Sequence, residues 1–248
     1  MEFIFTREIK ADLLDVDKIF KRSLLPWWDE IDIYARKING DLSFQLLPAL
    51  VIGAYRCLGL ERELSIQMAN LYKTIDFANK IHLMVKDEEE GQEHNQELQF
   101  TILIGDYIFG KVFSLLLETR ADKLLDSFAA MICEINEGLI VKYKLKKDLL
   151  EVLARTRGPL FNNAFKSAAE LAGLAPEITG IYGELGSNLG IALELIYVHQ
   201  QKQDAGDYLI KVEQLLQSLS SRIIGMEPVF EKLVQEMNRE IGGSTNGL

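Results

Sequence analysis

From Glu61 to about Asp87 the apolar positions Leu64, Met68, Leu71, Ile75, Ala78, His82 and Val85 recur at alternating steps of four and three. That spacing keeps one stripe on one side of an α-helix for the whole stretch, while Glu61, Arg62, Glu63, Lys73 and Lys80 fall off it. At 1.5 Å per residue such a helix is about 40 Å long, which predicts a tall bundle. The same period recurs near residues 8–25, 44–58, 97–118, 121–144, 160–173, 177–200, 204–221 and 227–241. Asn39-Gly40 and Gly91 mark turns between these stretches, and Gly158-Pro159 and Ala175-Pro176 place proline where a helix can start. No segment alternates β-branched residues between turn signals, so strands have no support. The pattern predicts a single all-α domain, a bundle of about ten helices over residues 1–241, with 242–248 as a flexible tail.

A length of 248 residues suits one large domain, and 48% apolar with 26% charged residues is ordinary globular composition. No apolar run reaches the roughly 18 residues a membrane span needs, so the chain is not expected to be an integral membrane protein. The start, MEFIFTREIKADLL, lacks the basic and apolar regions of a secretory signal, which predicts a cytoplasmic protein. The net charge of −10 argues against nucleic acid as a partner. The single basic cluster, Lys142, Lys144, Lys146 and Lys147, reads as a solvated helix end. Cys57 and Cys133 are too few for a disulfide framework or a zinc site and read as small buried residues.

The common chemical motifs are missing. His82, His94 and His199 form no H-E-x-x-H or i, i+4 pair, and His82 reads as a hydrogen-bonded core residue. There is no P-loop, no G-x-S-x-G and no G-x-G-x-x-G. Gly183, Gly186 and Gly190 fall within one helical stretch, where the close approach of a second helix explains them better than phosphate binding does. Glu89, Glu90 and Glu93 have the i, i+1, i+4 spacing of a carboxylate metal clamp, but Gly91, Gln92 and Asn95 favour a solvated loop there.

Three stretches resemble the trans-polyprenyl diphosphate synthases, an all-α family. Gly105-Asp106-Tyr107 in TILIGDYIFGKVFSLL is similar to the family's Gly-Asp helix. Residues 160–173, LFNNAFKSAAELAG, resemble its Leu-Phe…Leu-Ala-Gly helix. Gly186, Leu189, Gly190 and Ala192 in LGSNLGIALELI match its Gly-x-x-Leu-Gly-x-Ala helix, and Glu137-Gly138 and Pro48-Ala49-Leu50 add weaker support. The stretches occur in the family's order over residues 40–240.

The resemblance implies a reaction in which an allylic diphosphate ionises and joins isopentenyl diphosphate. Two D-D-x-x-D motifs on facing helices hold Mg²⁺ against the leaving group, because hard cations with oxygen ligands stabilise its growing charge. Basic residues clamp the second diphosphate. This chain departs from the pattern at both motifs. The first survives only as Leu83, Met84 and Asp87, and the second reads Tyr197, Val198 and Gln201, with no aspartate. Leu42, Ser43, Phe44 and Gln45 stand where the family has Gly-Gly-Lys-Arg, and Thr156-Arg157 replaces its Lys-Thr. The inherited site is expected to be inactive, with no cofactor bound by this chain and Mg²⁺ held by a catalytic partner.

The resemblance therefore implies a non-catalytic subunit of a heteromeric long-chain polyprenyl diphosphate synthase. It would pair with a catalytic chain through helices around 97–144, contact the growing prenyl chain and influence its length, with a quinone side chain as the usual product class. Two alternatives stand beside it. One is an active prenyltransferase using Glu89, Glu90 and Glu93 as a displaced clamp, with Glu194 and Asp204 the nearest second carboxylates. The other is a stand-alone prenyl-lipid binding protein. Tyr197 and His199 are expected in core or interface positions.

Overall fold

The computed structural model describes residues 4–85, 96–145, 147–223, 226 and 228–242. Among them there are helices and connections and no strand. In chain order the helices are α1 (Ile4–Arg7), α2 (Lys10–Ser23), α3 (Trp28–Ile38), α4 (Leu42–Cys57), α5 (Arg62–His82) and α6 (Gln96–Glu118). They continue as α7 (Leu125–Ile140), α8 (Leu149–Thr156), α9 (Gly158–Leu171), α10 (Pro176–Leu193), α11 (Lys202–Arg222) and α12 (Val229–Gly242). Wider π turns extend α7 over Val141–Leu145 and α10 over Glu194–Val198.

The expected all-α bundle is what the chain forms, with three local differences. The long stretch from Glu61 stops at His82, with Leu83 as its C-cap. Besides the single turn of α1, two helices absent from the periodic reading, α3 and α8, are short. Each buries only three side chains, Ile31, Tyr34 and Ile38 in one and Val152, Leu153 and Thr156 in the other. The third difference is α6. An 18-residue window within it has a mean hydropathy of 1.7, so by length and composition it could cross a membrane. Its Ile104, Ile108, Val112, Leu115 and Leu116 are nevertheless buried in the bundle, where α6 packs along α5.

The tightest pairing is α9 against α10, the two helices that carry the second and third quoted stretches. A Cβ at Gly190 would lie 2.0 Å from Cδ2 of Phe161, and one at Gly186 would lie 2.5 Å from the Phe161 carbonyl oxygen. Helix contact thus accounts for these glycines. Across the same core Tyr72 donates to Asn163 Oδ1 at 2.7 Å, and Tyr182 donates to the Ala54 carbonyl at 2.8 Å, so the buried hydroxyls are satisfied. A smaller second core lies between α2, α3, α4, α5 and α6 and is built on Phe20, Tyr34, Phe44, Phe77 and Ile108.

Two side chains differ from expectation. Cys57 is buried, but Cys133 is exposed on α7. His82 is only half-buried; it stacks on Phe109 with ring centres 5.6 Å apart and lies 3.5 Å from Asp106. Its ring occupies the space a Cβ at Gly105 would need, 2.6 Å from Nε2, which gives the Gly105-Asp106 pair a packing cause.

Candidate functional site

Four helix ends converge at one end of the bundle. The N-terminus of α4 supplies Ser43, and the last two turns of α5 supply Asp76 and Lys80. The junction of α8 and α9 supplies Arg157, and the π turn after α10 supplies Glu194. The π turn carries the chain on as helix past Leu193 and turns Glu194 inward, where it is buried.

Arg157 is the hub of this cluster. Its Nη1 donates to Asp76 and its Nε to Glu194, while Nη2 reaches Ser43 Oγ at 2.5 Å. Ser43 in turn donates to Glu194 Oε1 at 2.5 Å. The side chains are deeply enclosed, at 0% exposed for Asp76, 5% for Glu194 and 13% for Arg157. Burial alone would pull the guanidinium pKa down, but the adjacent Asp76 and Glu194 outweigh it and hold Arg157 above its ordinary value. The guanidinium also lies over the Phe161 ring, 5.4 Å from its centre.

The surrounding cations are paired as well. Lys80 meets Asp41 at 2.6 Å, and Asp41 also caps α4 by accepting from the Phe44 N–H at 3.1 Å. Burial raises the Asp41 carboxyl pKa, but the Lys80 bond and charge, with the Phe44 bond and Arg157, leave it below its usual value. Lys73 bonds Asp17 and sits over the rings of Phe20 and Phe44. Phe44, standing where the resemblance places a lysine, is buried in the second core.

The structure therefore brings together two positions placed by the resemblance, Ser43 and Arg157, with Glu194, named only as a carboxylate near a displaced clamp, and adds Asp76. Nothing in the periodic reading singled out Asp76; the available signal was an acid on a stretch otherwise buried on every side. Leu83 is exposed at the end of α5, and Met84 packs partly against the second core. Tyr197 is half-buried against the main core, and burial, with Glu240 and Glu236, pushes its hydroxyl up to about 12. Val198, His199 and Gln201 are exposed, so His199 is not a core residue. Glu194 is tied to Arg157, whereas Asp204 is exposed on α11, so they do not form a common carboxylate pair. Asp87, Glu89, Glu90 and Glu93 lie outside the described residues. Among the described residues no group of three or more His, Cys, Asp or Glu side chains could hold a metal ion.

The side of α6 turned away from the bundle is apolar. Phe100, Leu103, Phe113 and Leu117 on α6 and Leu125 on α7 are exposed, with Leu103 at 64% and Leu117 at 65%. Cys133 lies exposed on α7.

No protein-family model matches the sequence. The decaprenyl-diphosphate synthase of Dictyostelium discoideum is 24% identical over 200 residues, a match covering 71% of this chain and 42% of that protein. The match thus spans less than half the length of that curated relative. Among solved structures, an FPP/GFPP synthase from Zymomonas mobilis superimposes with a TM-score of 0.70 at 14% identity, covering 93% of this chain and 98% of the other. The geranyl diphosphate synthase small subunit of Antirrhinum majus gives 0.68 at 15% identity, covering 94% and 97%. The chain has the all-α isoprenoid-synthase fold, and its homologues are trans-polyprenyl diphosphate synthases.

Proposed function

We propose that this chain is a non-catalytic subunit of a heteromeric long-chain polyprenyl diphosphate synthase. The observation that carries the reading is the Ser43–Asp76–Arg157–Glu194 cluster. The resemblance implies that Ser43 and Arg157 stand where catalytic members of the family handle a diphosphate. One cation there faces two carboxylates, so the cluster as a whole is negative when both are ionised, and a diphosphate gains no attraction from it. Leu83 and Met84, in place of carboxylates, offer no oxygen to Mg²⁺. In this reading Mg²⁺ and the chemistry belong to a catalytic synthase chain.

The exposed apolar side of α6 supports the pairing half of the proposal, since a surface rich in Phe and Leu gains by being covered. The partner is a catalytic polyprenyl diphosphate synthase chain, and the product is a long prenyl chain of the kind used as a quinone tail. The chain would stabilise that partner and help set the product's length.

Isothermal titration of the lone chain with pyrophosphate and Mg²⁺ tests the closed site, and analytical ultracentrifugation with a catalytic synthase tests the pairing. No heat of binding together with a stable mixed species is expected. Magnesium-dependent binding in the micromolar range by the lone chain would overturn the first half, and failure to form a mixed species would overturn the second.

A further inference from the structure

Val141–Leu145 is helical yet contains no buried residue, although most helical stability in proteins comes from a packed face. Ile140 is 62% exposed, Tyr143 50% and Leu145 61%, and between them stand the exposed Lys142 and Lys144. No acid occurs between Glu137 and Asp148, in a chain whose net charge is −10. Lys147 is held by Glu151 at 3.2 Å, and the Lys142 ammonium lies 5.3 Å from the Tyr143 ring centre. Among the described residues, Lys142 and Lys144 meet no carboxylate.

The turn is therefore a protruding knob in which three large apolar groups alternate with cations. A solvated helix end accounts for the lysines but leaves Ile140, Tyr143 and Leu145 without a cause. A flat protein partner would more naturally meet the apolar outer side of α6. A bilayer surface satisfies both halves of the knob: isoleucine, leucine and the tyrosine ring enter the boundary between headgroups and acyl chains, and the ammonium groups stay among the headgroup phosphates. The body of the chain is acidic and would be repelled by an anionic bilayer, so attraction has to be local.

We propose that the Ile140–Leu145 turn is a membrane-surface contact that docks this chain on bilayers carrying anionic headgroups. The contact is peripheral and does not depend on whether the chain pairs with a synthase. The last turn of α7 lies against Arg155, where a Cβ at Gly138 would be 2.6 Å from the Arg155 carbonyl oxygen. The contact therefore sits close in sequence and space to the Arg157 end of the bundle, and that end would face the bilayer.

The test is co-sedimentation of the full chain with vesicles of phosphatidylcholine alone and of phosphatidylcholine mixed with phosphatidylglycerol. Wild type should sediment with the mixed vesicles and be released by salt. Removing two lysines in K142Q/K144Q should weaken the partition by roughly twenty-five-fold, about fivefold for each. I140S/Y143S/L145S should also lose binding although its lysines remain. These side chains are exposed, so both variants should keep the wild-type unfolding midpoint. Absence of binding to the mixed vesicles, equal binding to both vesicle types, or binding that both variants retain would overturn the proposal. So would a chain that ignores vesicles but binds poly-glutamate through the same lysines, which would assign the turn to an acidic protein.

Discussion

Replacing Arg157 with methionine tests the buried cluster most sharply. The substitution keeps a long side chain over Phe161 but removes the guanidinium bonds to Asp76, Glu194 and Ser43. Asp76 and Glu194, at 0% and 5% exposed, would then be two like charges in a dry interior with Ser43 as the remaining donor. Breaking a buried pair by removing one partner costs about 3–5 kcal/mol. In a domain of this size about 1 kcal/mol moves the unfolding midpoint by roughly 2–4 °C, so R157M should melt roughly 6–20 °C lower. The triple variant D76L/R157M/E194M removes every charge and should recover most of the loss, because replacing a whole buried ion cluster by apolar groups of similar volume is often nearly neutral. Thermal unfolding followed by circular dichroism at neutral pH reads both. If R157M costs under about 1 kcal/mol, or the triple variant is no better than the single, the cluster is not the closed knot described here.

Three further outcomes follow from the structure. A Gly190→Val substitution forces a Cβ to within 2.0 Å of Phe161, so α9 and α10 must separate, with a loss of about 1–3 kcal/mol or more in chemical denaturation. D41N should cost about 1 kcal/mol at neutral pH through the lost Lys80 pair, because an asparagine there can still cap α4. Because the folded Asp41 pKa lies below the ordinary 3.8, its stabilisation is present above that value and fades as pH falls through the folded one. The wild-type advantage over D41N should therefore shrink in acid; a constant difference would refute it. Cys133 is exposed and Cys57 buried, so one maleimide should react rapidly with the native lone chain, and a bound synthase chain should slow that reaction.

Much of the fold was legible because helices that bury a stripe advertise it. The α5 stretch and the glycines of α10 are read directly from spacing, and the packing of Phe161 against Gly186 and Gly190 supplies the physical cause. The short helices α3 and α8 escaped because three buried side chains do not make a period. The outer face of α6 hid for the opposite reason. The helix is apolar nearly all round, so composition alone does not divide its packed side from its exposed one. The site was half legible. The resemblance marked Ser43 and Arg157 as departures from the family's motifs, and Glu194 was named only beside a displaced clamp; their convergence with Asp76 depends on four helix ends meeting, which lies beyond local pattern. Cys133 shows a limit of residue-type habit, since the tendency of free cysteine to be buried failed on α7's exposed side.

The central claim is tested most directly by a prenyl-transfer assay with radiolabelled isopentenyl diphosphate, an allylic diphosphate primer and Mg²⁺. Three samples are compared: this chain, a catalytic polyprenyl diphosphate synthase chain, and their mixture. The account predicts no turnover by this chain alone, and in the mixture either activity that neither chain has alone or a product longer than the catalytic chain makes by itself. Turnover by this chain alone, or a mixture indistinguishable from the catalytic chain, would contradict it.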